Sequence, residues 1–120
     1  MKEQILQSAL KRCRKDGTVR SAKVACIAIA PDYVSITVNK RGKGGRISPW
    51  TYHAEELMLN RIRNARWPYP GACTIIVMRF KPDGTLGCAK PCDRCDPMLR
   101  KSGVRRVIYT NEVGILERLF

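Results

Sequence analysis

Seven consecutive residues, Val24-Ala25-Cys26-Ile27-Ala28-Ile29-Ala30, are apolar without a break. A strand with one wet face alternates between apolar and polar residues; a strand covered on both faces does not. This run therefore predicts a central strand with packed layers on either side. Pro31-Asp32 turns the chain, and the next segment does alternate. Val34, Ile36 and Val38 fall on one side, and Tyr33, Ser35 and Thr37 on the other. The short turn makes the two strands a hairpin.

The remaining segments fit around this hairpin. From Lys2 to Lys15, Ile5, Leu6, Ala9, Leu10 and Cys13 recur at helical spacing, and Asp16-Gly17 stops the pattern. A second helix is expected from about His53 to about Arg66, with Ser48 or Thr51 as its cap. Ala54, Met58, Ile62 and Ala65 should face the sheet, and Trp67-Pro68-Tyr69-Pro70-Gly71 ends the helix. Cys73 to Phe80 reads as a third strand, and Lys81-Pro82-Asp83-Gly84 as a turn. A short helix should begin near Met98, with Asp96 as cap and Pro97 at its first position, and close at Gly103. Val104 to Thr110 is a fourth strand, and Ile115 to Phe120 a fifth. Only Asn111-Glu112-Val113-Gly114 joins these two. A parallel neighbour needs a crossover of about a dozen residues or more, so the last strand should run antiparallel. The expectation is a three-layer α/β fold, with helices packed on a mixed five-stranded sheet.

A chain of 120 residues suits one domain, 1–120, with a modest core. No apolar run is long enough to span a bilayer. The segment Met1-Lys2-Glu3-Gln4-Ile5-Leu6 lacks the unbroken apolar stretch of a secretory signal, so a cytoplasmic address is expected. Cys26 and Cys73 sit in apolar runs and read as buried small hydrophobes. The formal charge of +13 repels copies of the chain and attracts polyanions. It suits a nucleic acid or a phosphorylated substrate, and it also suits a merely solvated basic surface.

Two stretches carry chemistry. Tyr52-His53-Ala54-Glu55-Glu56 supplies an imidazole and, two residues on, a carboxylate. Lys90-Pro91-Cys92-Asp93-Arg94-Cys95 supplies two thiols. Catalytic zinc takes about three protein ligands and keeps one position open. His53, Cys92 and Cys95 make such a set. Together the stretches match the H-x-E…P-C-x-x-C signature established for zinc deaminases. With the element order α-β-β-α-β-α-β-β, the chain resembles the cytidine/deoxycytidylate deaminase superfamily over most of its length. The resemblance implies bound Zn2+ and a hydroxide that attacks the ring carbon bearing the exocyclic amine. It also implies that Glu55 moves the protons without binding the metal. Glu56 reads as a solvated helix residue. The competing reading is a closed structural zinc site, for which Cys88 is the nearby fourth ligand, and in which Glu55 has no role.

Within the superfamily, free-nucleoside cytidine deaminases usually carry cysteine where this chain has His53. Deoxycytidylate and tRNA adenosine deaminases have the histidine but generally place a helix before the last strand. Histidine combined with a terminal hairpin resembles the polymorphic-toxin and organellar RNA-editing branches, which act on nucleic acid. The favoured substrate is therefore cytosine in single-stranded nucleic acid, with free cytidine or deoxycytidine nucleosides and nucleotides as the alternative. A different class, a non-catalytic zinc-stabilised nucleic-acid-binding module, is distinguished by whether Glu55 matters to turnover. For substrate contacts the candidates are Asn39, which the resemblance places near sugar or base, and Trp50 and Tyr52, which flank the motif and can stack on a base. Lys40, Arg41, Lys43 and Arg46 belong to a basic, glycine-rich loop whose cations can meet phosphates.

Overall fold

A computed structural model describes Gln4, Gln7, Ser8, Lys11 and residues 23–31, 33–41, 51–64, 70–81 and 85–120. Gln4, Gln7, Ser8 and Lys11 are helical and exposed, as the polar side of the N-terminal pattern requires. The apolar stripe of that pattern lies outside the described residues.

The main sheet contains β1 (Lys23–Ala30), β2 (Tyr33–Val38), β5 (Thr74–Phe80), β6 (Leu86–Gly87), β7 (Arg106–Thr110) and β8 (Leu116–Arg118). Its order is β2-β1-β5-β7-β8, with β6 paired to β5 beside this path. The five expected strands are thus present, and a short sixth adds to them. The β5–β6 turn is closed by Lys81 N donating to Thr85 O at 2.8 Å. A separate ladder joins β3 (Lys40–Arg41) and β4 (Thr51–Tyr52). Two-residue strands carry too little periodicity to be seen in a sequence. Pairing is antiparallel except between β5 and β7. The last strand, β8, is antiparallel to β7, as the short connection demands.

The turn between β7 and β8 is held by one side chain. Asn111 Oδ1 accepts from the amides of Val113 at 3.0 Å and Ile115 at 2.9 Å. Gly114, at φ 83°, supplies the left-handed residue that the turn needs.

Both faces of the sheet are buried. On one, Cys26 and Ala28 of β1, Ile75 and Val77 of β5, and Val107 and Tyr109 of β7 form a single cluster. Helix α1 (Ala54–Asn64) lays Ala54, Met58 and Ile62 on this cluster, and α2 (Cys95–Lys101) adds Leu99. Ala65, expected on the same face of α1, lies outside the described residues. On the opposite face Ala25, Ile27, Val38, Met78 and Phe80 form a second cluster. The unbroken apolar run of β1 feeds both clusters by simple alternation. The alternating β2 behaves differently from an ordinary half-wet strand. Its Ser35 and Thr37 are buried and turn toward α1, where they bond to it. Among the described residues, no helix is long and apolar enough to cross a membrane.

Helix α2 begins at Cys95, earlier than the expected start near Met98. Asp96 is not its cap, because Arg94 occupies that position without a side-chain capping bond. Pro97 is tolerated because it falls in the first turn, where its missing amide would have no intrahelical partner. Asp96 instead pairs with Arg100 one turn on. Gly103, at φ 84°, closes the helix as expected.

Candidate metal centre

His53 stands at the N-cap position of α1, with its carbonyl accepting from Leu57 N at 3.1 Å. A capping residue normally turns its side chain to the helix amides. Here the imidazole goes elsewhere. Its Nδ1 lies 3.2 Å from Cys95 Sγ and 3.6 Å from Cys92 Sγ. The three ligand atoms all lie within 4.8 Å of one another. Donors around a tetrahedral zinc stand about 3.5–3.8 Å apart, from bond lengths near 2.0–2.3 Å. The two imidazole–thiol distances are within a few tenths of an ångström of that spacing, and one imidazole with two thiols is a donor set that zinc accepts.

The three donors differ in environment. Cys95 is buried, His53 is partly buried and Cys92 is exposed, so the cluster opens toward solvent on the Cys92 side. Burial, then the nearby Glu55 and Cys92, push the Cys95 thiol well above its ordinary range. Metal ligation must overcome that proton, so zinc binding releases it. Cys88 is not among the clustered donors, and no fourth protein ligand joins them among the described residues. The closed structural site thus lacks its candidate fourth ligand, Cys88, at this cluster.

Glu55 is 5% exposed and sits in the first turn of α1. Burial raises its carboxyl above the usual carboxylate range. Its own backbone amide, His53 and Cys95 oppose that rise. The α1 terminus that carries Glu55 is fixed to the sheet, because Thr37 Oγ1 donates to Ala54 O at 2.7 Å. Farther along, Arg61 Nη1 donates to Ser35 Oγ at 2.7 Å and to Ile36 O at 3.1 Å.

The cysteine segment is placed from the other side. Thr110, fully buried on β7, donates from Oγ1 to Gly87 O at 2.6 Å. Ala89 N donates to Thr110 O at 2.8 Å. Beyond Pro91, Asp96 N donates to Cys92 O at 2.8 Å, which brings the two thiols onto one turn.

Glu56 is not the solvated helix residue that its neighbourhood suggests. Its carboxylate accepts from His53 N at 3.3 Å and pairs with Arg94, between the two cysteines. It thus completes the reciprocal half of a capping box, whose acidic member stands three residues after the cap. The sequence signal was that spacing, masked by a histidine where serine or threonine normally announces the box. Asn39 lies just past β2, where its Oδ1 accepts from Val24 N at 3.0 Å and closes the hairpin end. Lys40, Arg41 and Tyr52 belong to the β3–β4 ladder, with Lys40 opposite Tyr52. Trp50, Lys43 and Arg46 lie outside the described residues.

The pattern of the family described as the cytidine and deoxycytidylate deaminase zinc-binding region matches residues 1–111. The chain belongs to that family. It is a zinc-dependent hydrolytic deaminase, and the reading as a non-catalytic module falls away. Among solved structures it resembles the dCMP deaminase of cyanophage S-TIM5, crystallised with dCMP and dUMP, at 18% identity and TM-score 0.66. That alignment covers 92% of this chain and 81% of the phage protein. It also resembles the cytidine deaminase of Burkholderia pseudomallei, at 22% identity and TM-score 0.66, over 98% of this chain and 91% of that one. The cytidine deaminase of Mycobacterium leprae aligns at 16% identity and TM-score 0.58, over 94% and 88% of the two chains. At such identities these likenesses speak for the fold of the deaminase. None of the curated proteins matches its sequence.

Proposed function

We propose that this deaminase hydrolyses the exocyclic amine of cytosine, giving uracil and ammonia, and that its preferred substrate is cytosine in single-stranded nucleic acid. His53, Cys92 and Cys95 hold zinc in this reading, which supplies a water acidified to near-neutral pKa. Glu55 takes the proton of the attacking water, delivers it to the ring nitrogen, and then serves the departing ammonia. Its burial suits both duties. A carboxyl with a raised pKa holds a proton more readily near neutrality, and the capped helix terminus keeps it beside the reacting carbon. Glu55 cannot be replaced by its neighbour, because Glu56 is committed to Arg94 and to the His53 amide.

The observation that carries the substrate reading is the β3–β4 ladder. Its register sets Lys40 across from Tyr52, immediately before His53. Lys40 and Arg41, which open the basic stretch of the sequence, thus pair with the two residues that precede His53. The four cations of Lys40 to Arg46, in a chain of net charge +13, suit a run of phosphates. Trp50 and Tyr52 remain the proposed stacking residues. A second reading, a free nucleotide held through one phosphate, is favoured by the phage relative crystallised with dCMP and dUMP.

The test is incubation with cytidine, its nucleotides and single-stranded oligonucleotides, read by mass spectrometry for exchange of amine for oxygen. Oligonucleotide binding should weaken with salt at a log–log slope of about −0.7 per phosphate contacted. Replacing Lys40, Arg41, Lys43 and Arg46 together by serine should flatten that slope and spare any turnover of free cytidine. Efficient turnover of free nucleotides, with no oligonucleotide activity and no loop-dependent slope, would establish the second reading instead.

A further inference from the structure

The two ligand-bearing segments are far apart in the chain and, among the described residues, an ion pair outside the donors joins them at the site. Glu56 lies one helical turn after His53, and Arg94 lies between Cys92 and Cys95. Their side chains pair, and the same carboxylate oxygen accepts from the His53 amide. A single oxygen thus touches the backbone of one metal ligand and the side chain that sits between the other two. We propose that Glu56 and Arg94 are positioning residues, forming a clamp that sets the spacing of the imidazole and the thiols and so fixes zinc affinity.

The exposures of the pair argue for this role over general support of the fold. Glu56 and Arg94 have side chains 25% and 51% exposed. Ion pairs this open contribute little to global stability. The partners they connect, however, are the segments that must converge within a few tenths of an ångström for tetrahedral coordination. Residues that orient metal ligands typically change metal affinity by about 10–100-fold when altered. Asp96 does not compete for Arg94, because Asp96 is paired with Arg100.

This inference rests on His53, Cys92 and Cys95 being the zinc ligands. Its test is a double-mutant cycle on the full chain: Glu56→Gln, Arg94→Gln and the two together. Zinc affinity is measured by competition with a chromophoric chelator. Each single change should weaken zinc about 10–100-fold, and the double change should be no worse than either single one. Arg94→Lys, which keeps the charge, should recover part of the loss. The melting temperature of the metal-free protein should hardly move. The visible absorption of the cobalt(II)-substituted protein should shift, because the donor geometry changes. Zinc affinity equal to the parent's in both singles, or strictly additive losses in the double, would overturn the clamp. So would a loss of metal-free stability that accounts for the whole effect. Should one single fail to fold, the other reaches the same pair from the opposite segment. A parent that binds no zinc would overturn the ligand assignment itself, whereas a zinc-binding parent with indifferent variants overturns only the clamp.

Discussion

The segment around His53 and the segment around Cys92 meet at one site but are built differently. The first opens a three-turn helix whose inner face is core: Ala54, Met58 and Ile62 are buried, and Thr37 and Arg61 bond the helix to β2. The second is a short irregular passage leading into seven residues of helix, with Cys92, Asp93 and Arg94 exposed in succession. Its anchors are the bonds to Thr110 on one side and Leu99 in the core on the other. Glu55, the proposed general acid–base group, and one proposed ligand thus come from the better-anchored half, and two proposed ligands from the half with fewer constraints. Such an arrangement puts the proton-handling group where it cannot wander and leaves adjustment to the thiols.

The largest expected effect lies inside the better-anchored half, between adjacent glutamates. Glu55→Gln should lower turnover by roughly 10²–10⁴-fold, the usual contribution of a general acid–base group. Zinc content and the melting curve should be retained. Glu56→Gln, assayed at saturating zinc, should keep most of its activity. A Glu55→Gln enzyme with parental rates would remove Glu55 from the chemistry.

Next come the two thiols. Cys92→Ser and Cys95→Ser should both lose zinc on elemental analysis, and stability should fall with it. Cys95→Ser should be the worse, because Cys95 is fully buried and Cys92 exposed. Its hydroxyl would be left in a site shaped for a thiol. Full zinc retention in both variants would mean that neither is a ligand.

Removing the metal tests the comparison directly. After chelation, amide exchange should rise through residues 88–101 and change much less through 53–64. The first set depends on the ligands for its placement, and the second has its own core face. Equal increases in both would show that the helix is no better anchored than the loop.

A smaller effect is expected from Thr37→Val, which keeps the shape and removes the bond to the Ala54 carbonyl. The cost should be about 1 kcal/mol in denaturant unfolding, with a modest fall in turnover as the α1 terminus loosens. The smallest lies away from both segments. Glu117 is held below the usual carboxylate range by Asn111 and then by the Tyr109 hydroxyl. Its contribution is therefore present above the ordinary glutamate value and fades as pH falls through the lowered one. Unfolding midpoints of parent and Glu117→Gln should converge on acidification, and a constant gap would show that no charge is involved.

Much of this was legible in the sequence, for reasons that differ by element. The unbroken run of β1 announced two buried faces because alternation feeds both. The antiparallel final pair followed from the length of Asn111–Gly114 alone. His53, Cys92 and Cys95 were found by their match to the known zinc-deaminase signature, and the fold brings all three together. What could not be read were features that exist only between distant segments. The pairing of Glu56 with Arg94 has no local periodicity, and the two-residue ladders β3–β4 and β5–β6 are too short to carry one. The early start of α2 was missed because Pro97 was given the first helical position, when any position in the first turn would accept it. Ser35 and Thr37 looked like the polar side of a strand, yet they are buried because α1 offers them partners.

The metal site also has a consequence for the order in which the protein is assembled. The imidazole meets thiols 39 and 42 residues farther along the chain. Between them in the chain lies β5, paired with β1, and the cysteine segment rests on Thr110 of β7, which comes later still. On a growing chain, His53 therefore waits while β5, β6 and the thiols emerge. A metal whose donors converge only in the folded chain binds that state in preference to the unfolded one and stabilises it by linkage. Zinc held by all three donors thus acts as a latch on a folded arrangement of segments that lie far apart in the chain.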